Sequence, residues 1–230
     1  ADALRGAGRR SLGAVVKLTM ISNACAIYEA RGFRLLADPW LTEPMFGSWV
    51  HDPPLKTRPE DVLDVDALYL SHIHGDHCDP ETLKHFRRDV PIVCLADRFM
   101  PKHLARMGFT DIIALPDGVG IELGDASELD VRIFGPFCKH PHHACEVGNV
   151  VDSAILIDDG IHSILNCNDN TMSLEAAEIF VEECGQVDVA QLNSNAAGPY
   201  PACFSNLTHD EKLAERDRIL KVQTDHMVEV

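Results

Sequence analysis

One short segment in the first third of the chain constrains the fold more than any other feature. Residues 71–77, with the sequence SHIHGDH, follow directly on the apolar run ALYL at 67–70. Such a run predicts a buried strand, so three imidazoles and a carboxylate lie in the loop where that strand ends. Neutral imidazole together with carboxylate suits zinc, iron or manganese. The order His-x-His-x-Asp-His indicates a metal site rather than a polar surface loop that happens to contain histidines.

The residues after this loop predict the start of a helix. Asp79 is a suitable N-cap, and Pro80 fits the first helical position. A helix that begins here would hold the loop between two rigid elements and keep its side chains in place.

The bulk composition predicts a globular protein that binds neither nucleic acid nor membranes. The chain has 230 residues, of which 46% are hydrophobic, and it contains no apolar run of the roughly 18 residues that a membrane span needs. Its formal net charge of −16 argues against attraction to nucleic acid or to an anionic membrane surface. This net charge does not exclude an anionic substrate, because two bound divalent cations would reverse the local electrostatic potential.

The cysteines and the N-terminal residues favour a cytoplasmic location. The chain has 8 cysteines, and none of them forms a Cys-x-x-Cys pair. We therefore expect reduced, buried thiols. The basic start of the chain is followed by no long apolar segment, so it does not predict a secretory signal.

The pattern along the chain predicts one domain, 1–230, with two β-rich halves at about 15–118 and about 121–230. The predicted strands are 15–20, 25–29, 33–37, 67–70, 91–95, 131–135, 153–157, 162–166 and 187–191, and the predicted helices are 80–87, 98–107, 173–184 and a final helix after Thr208. Leu213, Leu220 and Met227 give the final helix an apolar face. Two β-rich halves edged by helices favour an α/β (α+β) sandwich of two sheets with the helices outside.

The segment 71–77 closely resembles the metal-binding motif of the metallo-β-lactamase superfamily. This resemblance implies a four-layer αββα sandwich with the metals at one edge. It also implies that His72 and His74 bind one ion, while Asp76 and His77 face a second. In similar families another strand follows, and this chain stops at Val230 inside a predicted helix, so we expect it to be truncated at the C-terminus.

The resemblance further implies ligands from the second half: a histidine, a bridging aspartate and a last histidine. Asp169 follows the apolar strand 162–166 and is the predicted bridging ligand, with a turn aspartate as the alternative. For the first histidine, the cluster at 140–143 offers His140 and His143 as leading candidates and His142 as a third.

The last histidine has no good candidate. The late histidines, His209 and His226, both lie in the final helix, and neither is favoured. We therefore expect this ligand to lie beyond Val230 or to be missing, which leaves a site with a single ion open.

Several further segments resemble one branch of the superfamily. They are 23–25, 35–41, 152–155, 168–169 and 197–204. The branch contains the lactamase-like domain of CMP-N-acetylneuraminate hydroxylase and ascorbate-phosphate-lactonase-like hydrolases. It implies that Asp38 accepts a hydrogen bond from a ligand imidazole, the alternative being a turn residue before Pro39. The hydroxylases carry a Rieske centre, whereas residues 138–140 form a lone Cys-x-His here.

These features predict a metal-dependent hydrolase acting on a small molecule. A metal-bound hydroxide would attack an ester, lactone, amide or phosphoester, and Asp76 would orient this nucleophile or accept its proton. One or two divalent ions are expected, zinc first and iron or manganese as alternatives. We expect loops 43–57 and 193–206 to select the substrate. The sequence leaves the oligomeric state open, a homo-oligomer included.

The alternative prediction is an iron-dependent oxidoreductase. The same ligands would then serve the hydroxylation of a nucleotide sugar or a similar small molecule, with electrons supplied by a separate donor.

Overall fold

Two β-sheets face each other in the centre of the structure, a computed structural model that describes residues 16–137, 152–193 and 200–229. The first sheet contains, in spatial order, β1 (Lys17–Ser22), β2 (Cys25–Ala30), β3 (Phe33–Ala37), β4 (Ala67–Leu70), β5 (Ile92–Leu95) and β6 (Ile112–Leu115). The second contains β7 (Gly120–Leu123), β8 (Leu129–Phe134), β9 (Ala154–Asp158), β10 (Ser163–Asn166) and β11 (Val189–Gln191).

The first sheet changes from antiparallel to parallel pairing at β3. Strands β1 to β3 form a meander, and the tight turn between β2 and β3 is possible because Arg31 and Gly32 both adopt positive φ angles, 51° and 89°. Strands β3 to β6 then run parallel. The carboxyl ends of parallel strands meet at one edge, so Asp38 after β3 and Ser71 after β4 become neighbours.

In the second sheet, a hairpin brings two distant carboxylates to one edge. Strands β9 and β10 pair antiparallel, with Ile155 opposite Asn166 and Asp158 opposite Ser163. The start of β9 and the end of β10 therefore lie side by side. Asp152 precedes β9 and Asp169 follows β10, so both leave the sheet at this edge.

Three apolar layers hold the sheets and helices together. Leu35 and Leu36 are adjacent in β3 but enter different cores, because side chains alternate between the faces of a strand. One core fills the space between the sheets. The others lie outside the first sheet, under α1 (Pro80–Leu83) and α2 (Met100–Arg106), and outside the second sheet, under α3 (Leu174–Cys184). The predicted four-layer αββα sandwich is confirmed.

The first helix starts where the sequence predicts but ends sooner. The carboxylate of Asp79 accepts hydrogen bonds from the backbone N–H groups of Glu81 and Thr82, 3.2 and 3.1 Å away. The predicted helix 80–87 is too long, since α1 ends at Leu83. Beyond it the backbone closes i→i+3 bonds, such as Phe86 to Leu83 at 3.3 Å, and these tight turns bury the Phe86 ring instead of continuing the helix.

The last helix, α4 (His209–Glu229), begins with the predicted capping box. The Thr208 backbone N–H donates to the Glu211 carboxylate at 2.8 Å, and the Glu211 N–H donates to the Thr208 hydroxyl at 3.3 Å. Its predicted apolar face is exposed at Leu213, which keeps 37% of its surface accessible.

Strands β6 and β7 were not predicted. Each has four residues with mixed exposure, which is too short a stretch for a clear alternating pattern. In the described ranges, no helix combines the length and apolar character needed to cross a membrane. The cysteines in the same ranges are free thiols, and most of them are buried, in keeping with the prediction.

Candidate metal centre

Histidines from the first sheet and a carboxylate from the second converge where β4 and β10 end. One group consists of His72, His74 and Asp169, and another of Asp76, His77 and Asp169. Within each group the potential ligand atoms all lie within 4.8 Å of one another. Asp169 belongs to both groups, which is the position expected of a bridging ligand, although 92 residues separate it from His77 (169 − 77).

The ring of His72 is oriented by Ser71 and Asp38. The Ser71 hydroxyl donates to Asp38 Oδ2 at 2.6 Å, so its oxygen accepts from His72 Nδ1 at 3.0 Å. The proton of the neutral ring therefore lies on Nδ1, and the Nε2 lone pair faces His74, whose Nδ1 is 2.9 Å away. Burial, and the nearby charges of His77 and His74, lower the pKa of His72 to about 2, so this ring is neutral.

The ring of His77 is held in a similar way by Asp38. Its Nδ1 donates to Asp38 Oδ2 at 2.9 Å. Its Nε2 faces Asp169 Oδ2 at 3.4 Å and Asp76 Oδ2 at 3.6 Å. Burial alone would lower the pKa of His77, but the charges of Asp38 and Asp169 raise it well above its ordinary value. The surrounding carboxylates thus favour positive charge at Nε2.

The separations around His77 Nε2 fit the edges of a metal coordination shell, whereas His72 Nε2 and His74 Nδ1 are at hydrogen-bond distance, 2.9 Å. An N–H···O hydrogen bond typically spans about 2.7–3.2 Å. Ligand atoms around a tetrahedral ion with bonds of about 2.0–2.2 Å lie about 3.3–3.6 Å apart. The distances from His77 Nε2 to Asp169 and Asp76, 3.4 and 3.6 Å, fall in the second range. The donors are imidazole and carboxylate, so the residues present fit a divalent ion such as zinc, iron or manganese.

Asp38 lies where the sequence analysis expects an acceptor for a ligand imidazole. It is completely buried and accepts from the Ser71 backbone N–H at 2.8 Å, in addition to Ser71 Oγ and His77 Nδ1. One carboxylate therefore orients His77 directly and His72 through Ser71. No role for Ser71 was predicted from the sequence, although Ser71 directly precedes the first histidine of the motif.

A buried polar network joins this edge of the two sheets. The Ser153 hydroxyl, at the start of β9, donates to the carbonyl of Ser71 at 2.7 Å. The hydroxyls of Tyr69 and Ser153 are 2.9 Å apart, and the Asn168 side-chain amide donates to the Tyr69 hydroxyl at 3.5 Å. The metal loop is thereby connected to the residue before Asp169.

Asp169 has a further partner and a perturbed carboxyl group. Burial alone would raise the pKa of Asp169, but its interaction with the positively charged His77 opposes this and holds that pKa below its ordinary value. The side-chain amide of Asn193 donates to its other oxygen, Oδ1, at 2.8 Å. Asp169 is therefore an ionised carboxylate with one oxygen fixed and the other turned to the histidines.

Asp152 is a second carboxylate that the second sheet brings to this edge. It is completely buried, and its Oδ1 is 3.5 Å from His72 Nε2. In the sequence it stands out only as part of the branch resemblance, within residues 152–155. No spacing rule singled it out, because it reaches His72 only through the pairing of β9 with β8 and β10.

Part of the predicted ligand set lies outside the residues that the structure describes. His140 and His143, together with His142, lie outside the described residues, as does the side chain of His226. His209 is exposed at the start of α4 and is in neither ligand group. Cys78 follows the motif but is in neither ligand group, and burial raises the pKa of its thiol to about 12.

A short hairpin covers the glycine of the metal loop. Met45 and Trp49 pair through backbone hydrogen bonds of 2.9 and 3.0 Å. A Cβ atom on Gly75 would lie 2.8 Å from Met45 Sδ and 3.0 Å from Phe46 Cζ, so the hairpin tip packs directly on this glycine. Phe46 is nevertheless 81% exposed. Tyr200 and Phe204, which lie in the other predicted substrate loop, 193–206, contact each other edge to face with ring centroids 4.9 Å apart.

The chain has relatives among proteins named for iron–sulfur centres and hydroxylation. No protein-family model matches it. A Mycolicibacterium smegmatis protein named as a Rieske 2Fe-2S iron–sulfur protein is 30% identical over 195 residues, which is 82% of this chain and 36% of that protein. The cytidine monophosphate-N-acetylneuraminic acid hydroxylase of Danio rerio is 33% identical over 165 residues, 68% of this chain and 26% of the hydroxylase. The chain thus spans only about a third of these relatives, or less.

Solved structures share the fold. An isothiocyanate hydrolase from Delia radicum gut bacteria superposes with a TM-score of 0.61 and 22% identity, covering 78% of this chain and 72% of the hydrolase. CmlA, a diiron β-hydroxylase from Streptomyces venezuelae, gives a TM-score of 0.58 and 22% identity, covering 86% of this chain and 39% of CmlA. The same sandwich therefore occurs in hydrolases and in hydroxylases.

Proposed function

We propose that this chain is a metal-dependent hydrolase of a small molecule, because its sandwich fold is shared with solved metal-dependent hydrolases and its histidines and carboxylates converge at one edge of that sandwich. In this proposal His72, His74 and Asp169 hold one ion, and Asp76, His77 and Asp169 hold a second, with His140 or His143 as an added ligand. The observation that carries the proposal is the orientation of His72 and His77. Asp38 and Ser71 occupy the Nδ1 atoms of both rings and leave the Nε2 atoms facing other candidate ligands, with Asp169 common to both groups.

A divalent ion at this edge would lower the pKa of a bound water towards neutrality and polarise an ester, lactone, amide or phosphoester oxygen. The chain's own residues would complete the site. Asp76 is 35% exposed, so one side of its carboxylate is open to orient the attacking water and accept its proton. Phe46 and Ile73, both exposed beside the ligands, would contact the apolar part of a substrate.

Reconstitution of the metal-free protein tests this function. Zinc, manganese or iron(II) would be added separately, and lactone, phosphodiester and thioester substrates assayed with each metal. We expect metal-dependent hydrolysis of at least one class, and a fall in kcat by about 10²–10⁴-fold in Asp76→Asn if this carboxylate acts as the base. Absence of hydrolysis with every metal would contradict the proposal.

A second candidate function is oxygen-dependent hydroxylation with iron. It is favoured by the relatives at 30% and 33% identity, whose names refer to a Rieske centre and a hydroxylase. The set His72, His74 and Asp169 contains the two histidines and one carboxylate that suit non-haem iron. Electrons would come from a separate donor. Oxygen consumption by the iron(II) protein, dependent on an added reductant and coupled to hydroxylated product, would support this candidate over hydrolysis.

A further inference from the structure

Asp169 lies in a tight turn directly after β10. The Asn170 backbone N–H donates to the carbonyl of Cys167 at 2.8 Å, so Asn168 and Asp169 are the two central residues of a β-turn. Asn168 has a φ of 49°, a left-handed conformation that is uncommon outside glycine and in which asparagine is one of the enriched residues. The direction of the Asp169 side chain therefore depends on how this turn is held.

Asn166 holds the turn from the side of β10 and connects it to the first sheet. Its Oδ1 accepts from the Asn168 backbone N–H at 2.9 Å, and its Nδ2 donates to the Tyr28 hydroxyl at 2.8 Å. Tyr28 is completely buried in β2, and its own hydroxyl proton is donated to the Gln191 side-chain oxygen. The turn is thereby tied across the core to the sheet that carries the histidine loop.

Asn170 holds the turn from its other side. Its Oδ1 accepts from the Phe137 backbone N–H at 2.9 Å, and its Nδ2 donates to the Gly135 carbonyl at 3.0 Å. Both of these residues follow β8, which lies on the far side of β9 from β10, so Asn170 spans the intervening strand. The side chain is buried, and its amide donates and accepts with two separate atoms, which a carboxylate of the same shape cannot do.

We propose that Asn166 and Asn170 are positioning residues for the shared carboxylate of Asp169. They fix the backbone before and after Asp169, and the Asn193 amide holds its Oδ1, while Oδ2 lies 3.4 Å from His77 Nε2. A carboxylate supported in this way is preorganised for its ions. The inference rests on the metal site proposed above. Because Asp169 belongs to both groups of potential ligands, loosening its turn should weaken both ions together.

Metal binding by folded variants tests this role without an activity assay. Asn170→Ala and Tyr28→Phe break the bonds on the two sides of the turn, and neither changes a proposed ligand or the net charge. Each would be titrated with Co²⁺ against a competing chelator, with bound ions counted and the visible Co²⁺ spectrum recorded. Thermal unfolding of the metal-free variants would measure stability separately.

Leu123→Ala is the matched control for a loss of stability alone. Leu123 is buried in the same core between the sheets as Tyr28, but it lies on β7, three strands away from β10. This variant should unfold at a lower temperature and bind Co²⁺ with unchanged affinity and spectrum.

In Asn170→Ala and Tyr28→Phe we expect the affinity for both Co²⁺ ions to fall in parallel by about 10–100-fold, the range for losing a group that orients a metal ligand. The Co²⁺ spectrum should change as well, because the Asp169 carboxylate is no longer held in one direction. Tyr28→Phe removes a single oxygen atom, so it carries the test if Asn170→Ala does not fold.

Three results would overturn the inference. Unchanged affinity and spectrum in either folded variant would show that the asparagine whose bonds it breaks supports the fold alone. Weakening of only one of the two ions would mean that the effect does not pass through the shared carboxylate. If the unchanged protein binds no Co²⁺, the proposed metal site is itself wrong, and the positioning role falls with it.

Discussion

The two sheets position the candidate metal ligands in different ways. The first sheet supplies His72, His74, Asp76 and His77 from one loop, and Asp38 fixes the rings from the adjacent parallel strand. The second sheet supplies Asp169, which follows β10 and lies 3.4 Å from His77 Nε2 although 92 residues separate the two in the chain (169 − 77). The loop thus offers a cluster of donors that is oriented locally, whereas the second sheet brings the carboxylate that both ligand groups need.

Removing that shared carboxylate should have the largest effect. In Asp169→Ala both groups lose a ligand, so we expect bound metal and activity to fall to background. The folded protein should change little, by about 1 kcal/mol, because Asp169 is 35% exposed. Metal analysis together with thermal unfolding of the metal-free protein would check this. Loss of stability with metal content unchanged would show that Asp169 is a structural residue.

Removing one histidine from the loop should have a more selective effect. His74 belongs to only one group, so His74→Ala should lose one ion and keep the other, while activity falls to background. Counting bound ions per chain in both variants compares the sheets directly. Equal losses in His74→Ala and Asp169→Ala would mean that the two groups do not bind ions independently of each other.

Replacing Asp38 should lower the metal affinity, because Asp38 orients the imidazole rings of the proposed ligands. Asp38→Asn removes the charge that faces His77 and Ser71, so we expect metal affinity to fall by about 10–100-fold. Asp66→Asn is the control, since Asp66 accepts from the Arg34 N–H at 2.7 Å at an exposed position of the same sheet. Competition with a chelator would measure both affinities. An unchanged affinity in Asp38→Asn would contradict its orienting role.

The hydrogen bonds between the sheets should contribute less. Ser153→Ala removes the donor to the Ser71 carbonyl and a partner of the Tyr69 hydroxyl, both buried. We expect a loss of about 1–3 kcal/mol in the free energy of unfolding, measured by urea denaturation of the metal-free protein. If the two sheets position their ligands independently, metal affinity will be unchanged; if this network aligns them, affinity will also fall.

Truncating Phe46, in the short hairpin closed by Met45 and Trp49, should have the smallest effect on stability and metal content. Phe46 is 81% exposed, so Phe46→Ala should change stability by less than about 0.5 kcal/mol and leave metal content unchanged. Because the ring packs beside Gly75, we expect KM to rise while kcat stays nearly constant. A fall in kcat at constant KM would instead assign Phe46 a part in the chemical step.

The difference between the sheets also explains what the sequence could reveal. The strand 67–70, its loop and the N-cap Asp79 depend on neighbours within a few residues, so pattern and spacing identify them. Asp169 was predicted because the family resemblance implies an aspartate at the end of a strand, and Asp169 follows the apolar strand 162–166. Asp152 could not be found in this way, since its proximity to His72 comes from strand pairing across 80 residues of chain (152 − 72).

Two other features of the structure could not be predicted from the sequence, for physical reasons. The cross-sheet bonds of Tyr69 and Ser153 involve residues that an apolar pattern treats as ordinary core positions. Strands β6 and β7 are too short and too exposed for a period-two signal, and the sheet rather than the local sequence fixes them. The prediction of a helix over 80–87 was wrong after Leu83, because tight turns bury Phe86 there without a longer helix.

Anomalous X-ray diffraction from crystals grown with Zn²⁺ or Co²⁺ tests the central claim most directly. We predict a metal peak between His72, His74 and Asp169, with a second between Asp76, His77 and Asp169 when both sites are filled. A metal bound elsewhere, or bound at the loop with the Asp169 carboxylate turned away from it, would contradict the shared site on which this account is built.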